Sequence, residues 1–289
     1  MAVYKRTYRS YSGPATPAWS RFLILTRYAS QGIFRSKFVT AMFALCFFYP
    51  LGCAIAIYLN HNSSVLSLVR VTAPKLFDID GKFFLIYLGV QGTLSFFLTA
   101  FIGPGLVSPD MANGALPLYF YRPFSRTEYI LGKLFVTARL LSFITWVPGL
   151  ILFGIESSLS GTQWMSANLR LAAGVFFGAW IWILLISLIA LALSAWVRWR
   201  IVAGALVLAV MFLGSGFGHA LDVVLRGSKI GYFIDPGRLS TTVWEHMLGV
   251  ETSATETLSA TAAWIGLLAI CGLCLLLLTR KVRPYEVVR

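Results

Sequence analysis

Acidic residues are scarce in this chain: 11 against 24 lysines and arginines in 289 residues, so that charge of both signs makes up only 12% of it. A soluble domain carries about 25% charged residues to cover its surface. With 58% hydrophobic residues and a mean hydropathy of +0.77, the composition points instead to a bilayer. The formal charge of +13 does not make a nucleic-acid footprint, because the basic residues are dispersed and the aromatics interleave with aliphatics rather than with Lys and Arg. Histidine is sparse too: His61, His219 and His246 are far apart, no HExxH occurs, and no zinc site follows. The four cysteines, Cys46, Cys53, Cys271 and Cys274, all fall inside apolar runs, which excludes a disulfide framework. The CxxC of Cys271 and Cys274 has no other soft ligand nearby and reads as small apolar filling. Neither GK pair, Gly81-Lys82 or Gly132-Lys133, has the upstream glycine of a phosphate-cradling loop, and no GxSxG elbow is present. Glu245-His246 reads as a surface pair. No catalytic centre, metal or cofactor is expected on this chain, so an energy source for any work it does lies elsewhere.

What the chain has in abundance is long apolar runs. A helix needs about 20 apolar residues to cross roughly 30 Å of hydrocarbon, where a free backbone group finds no partner. Six stretches reach that length, near 38–60, 83–107, 134–155, 171–197, 201–219 and 261–279. The expected fold is therefore an all-α membrane protein of six transmembrane helices over 38–279, with a basic N-terminal segment 1–37 and a tail 280–289. Seven basic residues and no acid lie in the first 37 residues, and the tail holds four basic residues against Glu286. The segments after spans two and four add Arg122, Arg126, Lys133, Arg198 and Arg200, whereas those after spans one, three and five carry eight of the 11 acids. Positive charge favours the cytoplasm, so both termini are expected inside. The basic lead is too long for a signal-peptide n-region, so the first run is expected to remain as a span. Within it, Trp19, Phe22, Leu25, Ala29 and Ile33 fall on one helical side and Arg21, Arg27, Gln31 and Arg35 largely opposite. That pattern predicts an amphipathic helix in the interface, with a solvated basic arm as the alternative.

Spans four and five, separated by "RWR", should form a tight antiparallel hairpin. The segment of about 41 residues after span five mixes apolar patches with turn signals. It predicts short helices packed on the outer face of the bundle or dipping into the interface, one of them begun by a Thr242–Glu245 capping box and stopped at Gly249.

Between spans two and three lies "SPDMANGALPLYFYRPFSRTEYILGKL", unlike the runs on either side. Ser108-Pro109-Asp110 reads as a helix start, with serine as cap and the acid at the positive end of the dipole. Ser125 to Glu128 matches a capping box opening the third span, with Pro123 and Phe124 at the corner. Tyr119, Phe120, Tyr121, Arg122 and Phe124 are residue types that anchor protein interfaces and also types that form an aromatic belt at headgroups.

This stretch resembles the first cytoplasmic loop of the type-two ABC exporter permeases: an acid, then Asn/Arg-Gly-Thr-Leu, a short hydrophobic helix, Arg-Pro-x-Ser-Arg, and Gly-Lys entering the next span. The matching residues are Asp110, Asn113, Gly114, Leu116, Arg122, Pro123, Ser125, Arg126, Gly132 and Lys133, with Ala115 where the pattern has threonine. Six spans, inward termini, an N-terminal interfacial helix and a large outer segment before span six extend the likeness over most of the chain. The resemblance implies a non-catalytic permease subunit in a bacterial cytoplasmic (inner) membrane. It also implies a second permease copy and a separate ABC ATPase dimer, which carries the ATP and Mg and docks on a coupling helix in this loop. Asp110, Tyr119, Arg122, Pro123 and Arg126 are the residues expected to transmit force there.

Polar residues inside spans are costly and mark functional candidates. Gln91, Ser95 and Thr99 recur every four residues on span two, and Arg139, Ser142 and Thr145 every three on span three. They line a substrate path or a dimer seam, or else bond helices to one another. Arg139 either binds an anionic substrate or snorkels to the headgroups. A self-contained secondary transporter or channel, the competing class, would carry charges deep in several spans and paired broken helices. The cargo is not named by the sequence.

Overall fold

A computed structural model describes residues 20–62, 77–120, 125–225, 229–250 and 258–282. Among these residues the chain is helical, without strands. Six helical stretches are long and apolar enough to cross a membrane: Lys37–His61, Gly81–Ala112, Arg126–Ser160, Leu169–Trp196, Arg200–Val224 and Ala260–Lys281. Most extend beyond the expected apolar runs because polar caps, not hydropathy, begin them. Asp80 accepts from the amides of Lys82 and Phe83, Ser259 from that of Ala262, and Ser125 with Glu128 closes the expected capping box.

The helices are α1 (Arg21–Ile33), α2 (Lys37–Leu45), α3 (Phe48–His61), α4 (Gly81–Ile102), α5 (Pro104–Ala112), α6 (Leu116–Phe120), α7 (Arg126–Ile144), α8 (Trp146–Ser160), α9 (Thr162–Ala167), α10 (Leu169–Trp196), α11 (Arg200–Val224), α12 (Pro236–Leu248) and α13 (Ala260–Lys281), with a 3-10 turn at Lys229–Ile234. Span four, α10, is the hub: 72% of its apolar window is buried, against 22% and 17% for spans one and five, so those two lie at the periphery. It packs on α4, α5, α7, α8, α11, α12 and α13. The three-residue link between α10 and α11 gives the expected hairpin.

Spans one, two and three are each broken, and each break precedes or begins at a proline. Pro50 has no N–H to give the carbonyl of Cys46, and α2 ends there. That carbonyl instead accepts from Gln91 Nε2 of span two at 3.0 Å. In span three the helix breaks at Thr145, ahead of Pro148, and the Thr145 carbonyl accepts from the Tyr87 hydroxyl at 2.7 Å. In span two Pro104 begins α5, and Ser194 of span four inserts its hydroxyl into the backbone ladder, donating to the Pro104 carbonyl at 3.1 Å and accepting from the Ser108 amide at 3.0 Å. Ser108 therefore does not cap a helix start as its sequence suggests. It lies buried inside α5, its hydroxyl bonded to the carbonyls of Ser194 and Val197, and Pro109 is helix interior.

The segment between spans five and six also departs from expectation. Its helix α12 starts at Pro236, capped by Asp235, and ends at Gly249 in the left-handed conformation with φ 70°. Thr242 is not a cap but is buried mid-helix, its hydroxyl bonded to the Arg238 carbonyl. A proline at the first helical position after an aspartate outranks the weaker threonine box. Rather than resting on the bundle's outer face, α12 enters between spans two, four and six. Trp244 donates to the Gly178 carbonyl at 2.9 Å, about 13 Å along α10 from Leu169. Glycines make this seat, since a Cβ at Gly178 would lie 2.9 Å, and one at Gly92 3.1 Å, from the Trp244 ring. The polar residues of this segment, the Asp235 cap and Ser240 and Thr242 within α12, are buried against protein there.

Candidate functional site

The sequence separates two ends of the bundle, and the structure sorts charge between them. One end brings together α1, Lys133 and Arg200 around the single carboxylate of Asp110, with Arg280 and Lys281 in the last turn of span six; the other holds Asp78, Asp80 and Glu156 around Arg170. The described N-terminal helix α1 and the end of the last span both lie at the basic end. There α1 turns Phe22, Leu25, Ala29 and Ile33 inward, as its periodicity predicts, while Arg27, Gln31 and Arg35 are exposed. The inward face rests on span three: Phe22 meets the Phe135 ring edge-on at 5.8 Å, and Thr26 donates to the Gly132 carbonyl at 3.1 Å. A Cβ at Gly132 would sit 2.9 Å from Leu25, so the glycine sets this close approach. Leu23, Ile24 and Tyr28 remain exposed on the other side of α1, apolar surface directed away from the protein. Trp19 lies outside the described residues.

In the last turn of α5, Asp110 anchors the connection from span two to span three. Its Oδ2 accepts from Lys133 Nζ at 2.8 Å and from the Tyr129 hydroxyl at 2.8 Å. Lys133 is only 6% exposed, and its ammonium also lies 5.5 Å from the Tyr129 ring centroid. Four residues separate Tyr129 from Lys133, one turn of α7, which puts both on the face toward α5. α5 ends in a Schellman closure: the Ala115 amide reaches the Asp110 carbonyl at 2.9 Å, and Gly114 takes φ 62°, a conformation suited to glycine. This turn directs α6 back under the bundle. Leu116 is buried, the Tyr119 ring lies 5.6 Å from that of Tyr129, and Leu118 is 75% exposed. Burial, with the Asp110 carboxylate next, pushes the Tyr119 hydroxyl pKa upward, so it stays a neutral hydrogen-bonding group. Asn113, Gly114, Ser125 and Arg126 are exposed around α6. Arg122 and Pro123 lie outside the described residues. The pairing of Asp110 with Lys133 and Tyr129 is what sequence reasoning missed; the one-turn spacing of Tyr129 and Lys133 was its only local trace.

The two polar stripes have different surroundings. Gln91, Ser95 and Thr99 are fully buried. Gln91 bonds to span one, Ser95 accepts from Trp182 of span four at 2.9 Å, and Thr99 returns to the Ser95 carbonyl. Ser142 and Thr145 are buried on span three, with the Thr145 hydroxyl on the Leu141 carbonyl. Arg139 instead is exposed and borders a cavity of about 420 Å³ with Ser30, Gln31, Phe34, Phe43 and Phe143. Among the described residues no hydrogen bond joins one stripe to the other.

At the acidic end Asp222 ties the segment before α12: it accepts from Arg238 at 2.8 Å and from the Gly231 amide at 2.9 Å. The Arg238 guanidinium stacks over Tyr232 at 3.8 Å. Burial opposes its charge, yet the bonds to Asp222 and Tyr232 outweigh that and raise its pKa. Among the described residues no three His, Cys, Asp or Glu side chains gather as metal ligands, and all four cysteines are free thiols. No protein-family model matches the chain, and no curated protein matches it in sequence.

Proposed function

We propose that this chain is the permease subunit of an ATP-driven exporter of the type-two ABC class, with its basic end in the cytoplasm of a bacterial inner membrane. The observation that carries the reading is the Asp110–Lys133–Tyr129 cluster, which ties the end of span two to span three, with the short helix α6 held beside it by buried Leu116 and the Tyr119–Tyr129 ring contact while Leu118, Asn113 and Arg126 stay exposed. An element that receives force from a partner needs a rigid attachment to the spans and a free face, and α6 has both. A separate ATPase dimer docks on that face. Closure of the ATPases on ATP moves α6, and the buried ion pair passes the displacement to both spans. The α1 helix, seated on Gly132, lies in the cytoplasmic interface with Leu23, Ile24 and Tyr28 toward lipid. Spans one and five, the least buried, face lipid and a second copy of the chain. Arg139, bordering a cavity beside α1, remains the candidate of the two stripes with a free side chain for an anionic cargo.

The test is purification of the tagged chain from its native membrane in mild detergent, with mass spectrometry of its companions and an ATPase assay, repeated on Arg122→Glu with Arg126→Glu. A phosphate-loop ATPase that accompanies the native chain and is lost from a folded double variant supports the reading. A well-folded chain that never brings an ATPase overturns it.

A further inference from the structure

The cavity of about 420 Å³ beside Arg139 lies between α1, span one and span three, and among the described residues Arg139 is the one charge in its lining. A cation inside a membrane span is costly unless something pairs with it. Among the described residues the Arg139 guanidinium makes no hydrogen bond and no ion pair, and the nearby acid, Asp110, is already held by Lys133 and Tyr129. Gln31, exposed on α1 at the same cavity, adds a second donor that no other described residue uses. Two free donor groups therefore face one space, and what completes them is an anion.

The rest of the lining says what the anion is attached to. Phe34 meets the Phe43 ring edge-on at 5.5 Å, Phe43 meets Phe47 at 5.4 Å, and Phe143 follows Arg139 by one turn of α7. Spans one and three both run inward from the basic end, so Phe143 lies a turn deeper than Arg139 and Phe47 a turn deeper than Phe43. Arg139 is six residues, about 9 Å, along α7 from Lys133, and a helical side chain leans toward its helix N-terminus, here the basic end. Charge toward the headgroups and carbon toward the bilayer centre is the order of atoms in a lipid. The volume holds roughly fourteen water-sized groups, enough for a phosphodiester and the first methylenes of a chain. Phe34, Phe47 and Phe143 are 40 to 47% exposed, so the cavity is open on a side through which the chain continues into the bilayer. No carboxylate among the described residues lines the cavity, which leaves the ammonium of a zwitterionic headgroup without a partner. Arg27, Arg35 and Lys37, exposed on neighbouring turns, favour a headgroup of net negative charge.

We propose that this cavity binds one anionic phospholipid of the surrounding membrane, its phosphate accepting from Arg139 and Gln31 and its chain passing over Phe43, Phe47 and Phe143. The proposal takes from the coupling reading only the free Arg139 side chain. A chain that brings no ATPase still binds the lipid, and a chain without lipid selectivity still has its α6 docking face, so the two readings fail separately. The experiment is native mass spectrometry of the full chain in detergent micelles, titrated with phosphatidylglycerol, with phosphatidylcholine of the same acyl chains, and with glycerol 3-phosphate as the headgroup alone. Phosphatidylglycerol is expected to form the first adduct about 10-fold more tightly than phosphatidylcholine, and glycerol 3-phosphate neither to bind at the same concentrations nor to displace it. Arg139→Gln should weaken phosphatidylglycerol binding by about 10-fold or more, the loss of a charge-assisted hydrogen bond, and abolish the preference. Arg280→Gln, which removes the same charge from the same end of the bundle, should leave both unchanged. Should Arg139→Gln fail to fold, Gln31→Leu and Phe143→Ala, both at exposed positions, each weaken binding several-fold. Equal affinity for the two lipids, displacement by glycerol 3-phosphate, a preference unchanged in Arg139→Gln or equally reduced in Arg280→Gln, or affinity unchanged in both Gln31→Leu and Phe143→Ala overturns the proposal.

Discussion

Pro50 and Gln91 form a pair whose coupling has a sign fixed by the backbone. Pro50 leaves the Cys46 carbonyl without its helical donor, Gln91 Nε2 takes that place at 3.0 Å, and the Gln91 Oε1 itself has no partner. Gln91→Leu therefore has two opposed effects. Stranding the Cys46 carbonyl costs about 1–3 kcal/mol, while deleting an unpaired buried oxygen returns a similar amount. The single substitution should thus change stability by no more than about 1 kcal/mol. In a Pro50→Ala background the N–H at position 50 returns and pairs with Cys46, so Gln91→Leu strands nothing and only removes an unsatisfied amide. There it should stabilise. The difference between the two backgrounds is the coupling energy, expected at about 1–2 kcal/mol, toward the upper end for hydrogen bonds between membrane helices.

The assay is reversible unfolding in mixed micelles, titrated with SDS and followed by far-UV circular dichroism, on the native chain, both single variants and the double. Any effect of Pro50→Ala on the bend of span one cancels in the cycle. Equal effects of Gln91→Leu in the two backgrounds, within about 0.3 kcal/mol, would refute the claim that Gln91 replaces the donor missing at Pro50.

Lys133→Met leaves the Asp110 carboxylate with only Tyr129 and should destabilise by about 3 kcal/mol, the low end for an unpaired buried charge because the Asp110 side chain is 17% exposed. Asp110→Asn with Lys133→Met should recover most of that loss in the same titration. Gly178→Leu drives a side chain into the Trp244 ring, costing about 1–3 kcal/mol of overpacking, and should unseat α12. A Thr242→Cys reporter, buried in the native arrangement, in a chain whose four native cysteines are replaced by alanine, then reacts with maleimide faster in the Gly178→Leu chain; equal reaction rates with and without Gly178→Leu would count against the seating of α12 in the bundle.

The features legible in the sequence are those specified by neighbours along the chain. Ser125 and Glu128 are three residues apart, and their reciprocal bonds form whatever surrounds them; Gly249 ends α12 because glycine alone adopts its conformation without strain. The six runs are legible because lipid imposes one length on all of them. Ser108 shows where local reading stops. Its neighbours Pro109 and Asp110 spell a helix start, but the hydroxyl of Ser194, 86 residues away, holds it inside a helix already under way. The seat of α12 was illegible for the same reason: it depends on Gly92, Gly174 and Gly178, three glycines on two other spans that lack side chains where Trp244 and Leu248 must go. At the candidate site the exposed members, Asn113, Gly114 and Arg126, follow from composition, whereas the pair that fixes them joins positions 23 residues apart across a turn.

Buried polar residues in these spans stand beside broken backbone more than beside open space. Gln91 answers Pro50, Ser194 enters the 104–108 step of the ladder just beyond the Gly103 break, and Tyr87 bonds the carbonyl at the break before Pro148. Span two is thereby cut at Gly103 into α4 and α5, and α5 is held by bonds of a different kind from those holding α4. Ser108 fixes α5 to span four, and Asp110 fixes it to span three. Under the coupling reading this matters more than the length of any helix. A displacement of α6 enters α5 and is shared at once with spans three and four, while the Gly103–Pro104 break lets α4 hold its place against span one through Gln91. The break, rather than the polar stripe above it, is then the position at which span two changes direction during transport.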